Sequence, residues 1–300
     1  MGTLFGYHLA GCGDVTMLDD NPAVAQVVAR DGLAVNDRPA RKVAVAHGAK
    51  DLYGSQLLFL FVKAVDTLRA LRAFAGELDP AAPIVSLQNG VGNEEAIKTA
   101  LGGAVPVVLG ITTESSQTIA AGHVRSSEEG NTIVGSATAS PTTSRGVADL
   151  LVRSGLRASA VYDIRPHLWG KLVANASVNA LSALLDCNAG EILTDPNAAR
   201  IAEALADETA EVAAALKINL PFVNPWQYVS DVIALGADAK SSMAYDLESG
   251  HPSEIDHING AVVACGRRTN TPTPYNDAML RLIKAREALL ARSRLRLEVQ

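Results

Sequence analysis

Hydrophobic positions in the first half of the chain fall in short runs separated by longer amphipathic stretches. Val15–Leu18, Val43–Ala46, Leu57–Val62 and Pro83–Leu87 read as strands. Leu57–Val62 is apolar on both faces, as a strand inside a parallel sheet must be. Between them, Pro22–Arg30, Asp66–Phe74 and Asn93–Leu101 carry helical spacing, and Pro22 suits a first helical turn. This alternation predicts a doubly wound α/β layer. After Gly102-Gly103 the rhythm changes to strands at Val105–Thr112, Ala121–Ser126 and Thr132–Gly135, then a helix over Pro141–Ser154 and a strand at Ala158–Tyr162. From Pro166 onward nearly everything is helical: Trp169–Leu185, a helix opened by Asp195-Pro196 and reaching Lys217, Pro225–Ala234, Pro252–Arg268 and Pro274–Ser293. The expected organisation is a Rossmann-type sheet domain over residues 1–165 and an all-helical domain over 166–300.

One element of that plan is missing from the sequence. A dinucleotide-binding domain opens with a strand, then G-x-G-x-x-G, then a helix whose first amides face the pyrophosphate. Here Met1–Ala10 already reads as the helix, with Gly2 standing where the last glycine would be. The absent strand is the central one in the usual order, so the expectation is a start upstream of Met1 rather than a truncated, impaired chain. Gly11-Cys12-Gly13 reads as a turn. Asn89-Gly90-Val91-Gly92 joins a strand to a helix, where ligands bind in such sheets; a plain turn explains it equally well.

Composition narrows the function. A formal charge of −6 argues against a phosphate-backbone binder, and 4% aromatics are too few for a base-stacking platform. The longest apolar run, Leu57–Val62, is far short of the roughly 20 residues that span a bilayer. The N-terminus shows no basic stretch ahead of an apolar core. Cys12, Cys187 and Cys265 fit no zinc spacing and read as free thiols in a reducing compartment. A cytoplasmic protein acting on small molecules is expected, without nucleic acid or membrane; the Ala-rich helices leave a monomer and a homodimer both open.

Candidate chemistry concentrates in the helical half. Lys171, Asn175 and Asn179 recur every fourth residue, which places them on one helical face amid apolar neighbours. Such a stripe is either a structural network or the lining of a cleft for a small polar ligand. A second cluster joins Ser241-Ser242-Met243 to Glu254 within His251-Pro252-Ser253-Glu254-Ile255-Asp256-His257-Ile258-Asn259-Gly260. His251, Glu254 and His257 lack H-E-x-x-H spacing, so no metal site is expected. Neither a G-x-S-x-G elbow nor a G-x-x-x-x-G-K-[ST] loop is present, leaving hydrolase and P-loop readings without support.

The segments LFLFVKAVDT, SLQNGVGNEE, WGKLVANASVNALSALLDCNAGEI, SSMAYDLESGHPSEIDHING and TPTPYN, in that order, resemble the ketopantoate reductase (2-dehydropantoate 2-reductase) family over nearly the whole chain. The resemblance implies a Rossmann domain followed by a helical domain, and NADPH-dependent reduction of ketopantoate to pantoate on the route to pantothenate and coenzyme A. It places Lys171 as the catalytic lysine and Glu254 as the acidic residue beside lysine and cofactor. Asn175, Asn179 and Ser242 stand at substrate-binding positions. Asn89 and Lys63 stand at cofactor positions, Asn89 being counted toward the substrate as well, and Gly2 belongs to the cofactor loop. Ala189 stands where the family often has a substrate-contacting asparagine, for which Asn188 is a candidate substitute. Asp19 and Asp20 end the first strand with no arginine expected nearby. An acid there favours a free ribose, so NADH is a candidate beside NADPH. Two alternatives remain: a related dehydrogenase for another small 2-oxo or hydroxy acid, and a non-catalytic nucleotide-binding remnant.

Overall fold

The computed structural model describes residues 1–103 and 105–298. Contacts divide the chain into two compact units, one of Met1–Gln88 with Asn93–Ile164, the other of Asn89–Gly92 with the chain from Arg165 onward. The first unit runs α1 (Gly2–Leu9), β1 (Thr16–Met17), α2 (Pro22–Asp31), β2 (Ala34–Val35), β3 (Ala44–Val45), β4 (Leu58–Leu60), α3 (Thr67–Arg72) and β5 (Ile84–Ser86). It continues through α4 (Asn93–Leu101), β6 (Val107–Thr112), β7 (Gln117–Ala120), β8 (His123–Arg125), β9 (Thr132–Ser136), α5 (Pro141–Arg153) and β10 (Ala158–Val161). The second unit holds α6 (Arg165–Leu185), α7 (Ala189–Thr194), α8 (Pro196–Ala215), α9 (Pro225–Ala234), α10 (Ser242–Ser249), α11 (Asn259–Thr269) and α12 (Pro274–Glu298). The protein thus has a mixed α/β sheet unit and a helical unit.

The main sheet has the order β10-β9-β6-β5-β4. β5 lies parallel to both β4 and β6, with Ile84 opposite Leu58 and Val107. β9 is antiparallel to β6. Parallel β1 and β3 form a separate ladder, and β2, β8 and β7 a third. The single doubly wound layer expected from the pattern is therefore divided: among the described residues, no strand bonds to both β1 and β4. Side chains bridge the division instead. Phe5 of α1 lies 5.0 Å from Phe61 between ring centroids, and Phe59 stacks on Phe61 at 6.0 Å. Gly6 permits this packing, because a Cβ there would sit 2.9 Å from Leu33 Cδ1 and 3.0 Å from Met17 Sδ.

Three local differences from the expected elements have plain causes. β7 has no counterpart in the hydrophobic pattern because all its residues are exposed, leaving no apolar alternation to read. α7 and α10 are only six and eight residues long, too short to show a period. The helix expected from Pro252 starts at Asn259. Residues before it turn sharply, with the Glu254 carbonyl accepting from His257 N and Ile258 N at 3.0 and 3.1 Å. The Ser253 amide and hydroxyl are held by Glu287 Oε1 at 2.9 and 2.7 Å.

α6 and α8 form the spine of the helical unit. Leu172, Ala176 and Ala180 of α6 share a buried core with Ala202 and Leu205 of α8, Met243 of α10, and Val262 of α11. Alanines at the contact let the backbones approach, while each buried leucine contributes roughly 1.5–3 kcal/mol. α8 begins where Asp195 Oδ1 accepts from Asn197 N and Ala198 N, both at 2.9 Å, with Pro196 in the first turn. No described helix is long and apolar enough to cross a membrane.

Candidate active site

The fourfold spacing of Lys171, Asn175 and Asn179 becomes one face of the continuous helix α6. Lys171 and Asn175 are half-buried, and Asn179 is 8% exposed. Packing around Lys171 removes water from the amine and pushes its pKa down to about 8; the carboxylate of Glu254 works in the opposite direction, favouring the ammonium. A lysine poised there exchanges its proton near neutral pH, as an acid catalyst must.

Glu254 is held on the turn before α11, and its Oε2 accepts from Asn89 Nδ2 at 3.1 Å. The Asn89–Gly92 loop packs on that same turn: Val91 N donates to His257 O at 3.3 Å. Gly90 has φ +80°, and a Cβ would fall 2.2 Å from the His257 carbonyl oxygen. Only glycine fits there, which accounts for the glycine at this point of the Asn89–Gly92 loop. His257 itself is partly buried, and burial lowers its pKa. Lys171, Glu254 and Asn89 thus act on one another within the second unit.

Ser242 opens α10 and is exposed. Its neighbour Ser241, in the same Ser241-Ser242-Met243 run, is the buried one. Ser241 Oγ donates to Asn179 O at 3.0 Å and accepts from Ala244 N at 3.1 Å, while its own N–H donates to Ser182 Oγ at 3.1 Å. This stitches the start of α10 to α6 beside Asn179. Asn188 is committed elsewhere: its side chain accepts from Glu191 N at 2.9 Å in a capping box closed by Glu191 Oε2 on Asn188 N at 2.8 Å. Ala189 beside it is buried.

The remaining candidates lie in the first unit. Gly2 begins α1, and Asp19 is exposed just past β1, where its Oδ1 accepts from Asn21 N at 2.9 Å. A small crevice of about 20 Å³ is lined by Asp19, Met17, Val45 and Thr3. Lys63 follows β4 and is half-buried. The expectation that no arginine approaches these acids needs correcting. Arg69, 49 residues along the chain, reaches Asp20 Oδ2 with both terminal nitrogens at 3.1 Å and also pairs with Asp66. A larger cavity of about 270 Å³ beneath the N-terminal ends of β4 and β5 is lined by Leu52, Leu58, Phe74 and Leu101 and contains none of the candidate residues. Among the described residues, no group of three or more His, Cys, Asp or Glu is placed to hold a metal ion.

The chain thus joins a sheet unit with a helix-start glycine and a strand-end acid to a helical unit carrying a desolvated lysine. Family-level comparison matches residues 1–139 to "Ketopantoate reductase PanE/ApbA" and residues 163–287 to its C-terminal part. The chain belongs to the ketopantoate reductase family.

Similar proteins include the 2-dehydropantoate 2-reductase of Pyrobaculum aerophilum, 39% identical over 68% of this chain and 70% of the relative. That of Archaeoglobus fulgidus is 34% identical over 78% and 77%. Among solved structures, a PanE/ApbA family ketopantoate reductase from Ralstonia eutropha superposes with a TM-score of 0.87 at 26% identity, covering 96% of this chain and 95% of that one. D-mandelate dehydrogenase with NADH and anilino(oxo)acetate shares the fold, with a TM-score of 0.87 at 24% identity over 97% and 96%.

Proposed function

We propose that this protein reduces 2-dehydropantoate to pantoate with a nicotinamide cofactor, serving pantothenate and coenzyme A synthesis in the cytoplasm. The observation that carries the reading is the half-buried Lys171, held near a pKa of about 8 with Glu254 favouring its charged form. The residues present fit a dinucleotide. The first-turn amides of α1 at Gly2 suit a pyrophosphate, and Asp19 beside Thr3 offers a carboxylate to a ribose. When bound, the nicotinamide supplies the two electrons and one hydrogen that the ketone carbon gains.

The chain's own residues do the rest. The Lys171 ammonium stabilises the negative charge that develops on the ketone oxygen and donates its proton there, giving the alcohol and a neutral amine. Glu254 keeps that amine protonated and is itself steadied by Asn89. Asn175, Asn179 and Ser242 orient the carboxylate and hydroxyl of the substrate. Lys63 would help to hold the cofactor. Asp19 favours NADH over NADPH, because a carboxylate repels a 2′-phosphate, and Arg69 is already neutralised by Asp20 and Asp66.

A second reading, a different small 2-oxo acid as substrate, is favoured by one observation. Asn188 is locked in its capping box and Ala189 is buried, so neither offers the carboxamide that the family often uses at this place. Steady-state rates against a panel of 2-oxo acids with each cofactor decide. Best kcat/KM on 2-dehydropantoate supports the first reading, and a preferred acid lacking the hydroxyl supports the second. A folded protein that binds no nicotinamide by calorimetry would sink both.

A further inference from the structure

We propose that Glu208 on α8 is a positioning residue for this site, acting through Asn276 and Asn259 on the helix that carries Lys171. The inference rests on the reading of α6 as the substrate-facing helix. Glu208 is 8% exposed. Its Oε1 accepts from Tyr275 N at 2.8 Å, and its Oε2 accepts from Asn276 N at 2.9 Å and Asn276 Nδ2 at 2.8 Å, in the first turn of α12. With its amino group turned to the carboxylate, Asn276 points Oδ1 the other way, where it accepts from Asn259 Nδ2 at 3.0 Å. The second Nδ2 hydrogen of Asn259 goes to Ala176 O of α6 at 3.0 Å. Both asparagines are fully buried.

The relay has a direction. An ionised carboxylate can only accept hydrogen bonds, so Glu208 fixes which way the Asn276 amide faces, and Asn276 fixes Asn259. Asn259 Oδ1 is buried with no hydrogen-bond partner among the described residues. The protein therefore tolerates an unmet acceptor to keep both Asn259 donors engaged. The two ends of the relay matter for chemistry. Ala176 lies next to Asn175 on α6. Asn259 opens α11 directly after the turn that presents Glu254, whose backbone carbonyl anchors that turn. One buried carboxylate thus sets how the Glu254 turn seats against the Lys171 helix.

Glu208→Gln tests this at nearly constant volume. Whichever way the carboxamide turns, its amino group meets an N–H of α12, either Tyr275 N or Asn276 N with Nδ2, so the seating of Asn276, and through it of Asn259, is loosened. Adding Asn276→Asp returns an acceptor that faces both the new carboxamide on α8 and Asn259. Two readouts are taken: kcat and KM for 2-dehydropantoate, and the pH dependence of Lys171 acylation by acetic anhydride, followed by peptide mass spectrometry. Glu208→Gln is expected to lower kcat about tenfold with KM changed less than about twofold, a scale typical of a small misplacement. The Lys171 labelling midpoint is expected to move, and the double variant to recover both. A lowered melting temperature with kcat and labelling midpoint unchanged overturns the proposal. If Glu208→Gln does not fold, Asn259→Ala leaves the Glu208 contacts to α12 in place and must show the same shifts; unchanged values overturn it equally. Absence of 2-oxo acid turnover in the unmodified protein sinks the functional reading alone, since the labelling experiment still judges the relay.

Discussion

Replacing Lys171 by Met should stabilise the protein while removing its activity. The folded state holds the amine near a pKa of about 8 against an ordinary 10.5. At 1.36 kcal/mol per pH unit, the fold therefore disfavours the ammonium by about 3 kcal/mol at neutral pH. Methionine keeps the apolar stem and its packing without the charge. Glu254 loses its cation but retains the Asn89 hydrogen bond, which returns about 1 kcal/mol of that gain. The net expectation is about 2 kcal/mol, or roughly 4–8 °C in melting temperature. The pH dependence gives the sharper test. Between pH 8 and 10.5 the unfolded chain still binds the lysine proton and the folded chain does not, so the unmodified protein gains stability as pH rises through that window. The variant lacks this gain, and its advantage should be complete below pH 8 and vanish above 10.5. Calorimetry at pH 7 and pH 10.5 reads both values, while kcat should fall at least ~100-fold. Equal or lower stability of the variant at pH 7, with no convergence at high pH, would refute a desolvated lysine; near-normal turnover would refute its role as acid.

Other perturbations follow from the same contacts. Glu254→Gln removes the charge that favours the ammonium, so the alkaline fall of kcat/KM should move below its position near pH 8, by about one pH unit; a pH–rate profile with an unmoved limb contradicts this. Gly90→Ala forces a Cβ onto the His257 carbonyl at φ +80° and should cost at least about 1–3 kcal/mol. Because Asn89 adjoins it, kcat should drop as well, which thermal melts and steady-state kinetics would show together. Asp19→Ser should raise kcat/KM for NADPH relative to NADH by about tenfold, measured as the ratio of the two; a ratio that stays put removes Asp19 from cofactor choice.

How much of this is legible in the sequence differs by kind of feature. Long apolar periods and caps are plain to read: α2, α8 and α9 begin beside their capping residues Asn21, Asp195 and Asn224, and the Lys171–Asn175–Asn179 stripe follows from helical spacing alone. Short or solvent-facing elements are not, as β7 and α10 show, because nothing in their residues marks a face. The Arg69–Asp20 pair is invisible because no local spacing links residues 49 apart.

Neighbours within a few turns already encode the alternation of strands and helices, the change to an all-helical half, and the amine and amides on one stripe. What those groups can do is set by packing between segments far apart in the chain. Desolvation by burial turned an ordinary lysine into one that titrates near pH 8, and the Glu254 turn is seated by the Asn89–Gly92 loop on one side and by Glu287 on the other. The division of the sheet and the Glu208–Asn276–Asn259 relay also belong to the folded state. Hydrogen-bond direction and burial arise between segments distant in the chain, and no local pattern encodes them.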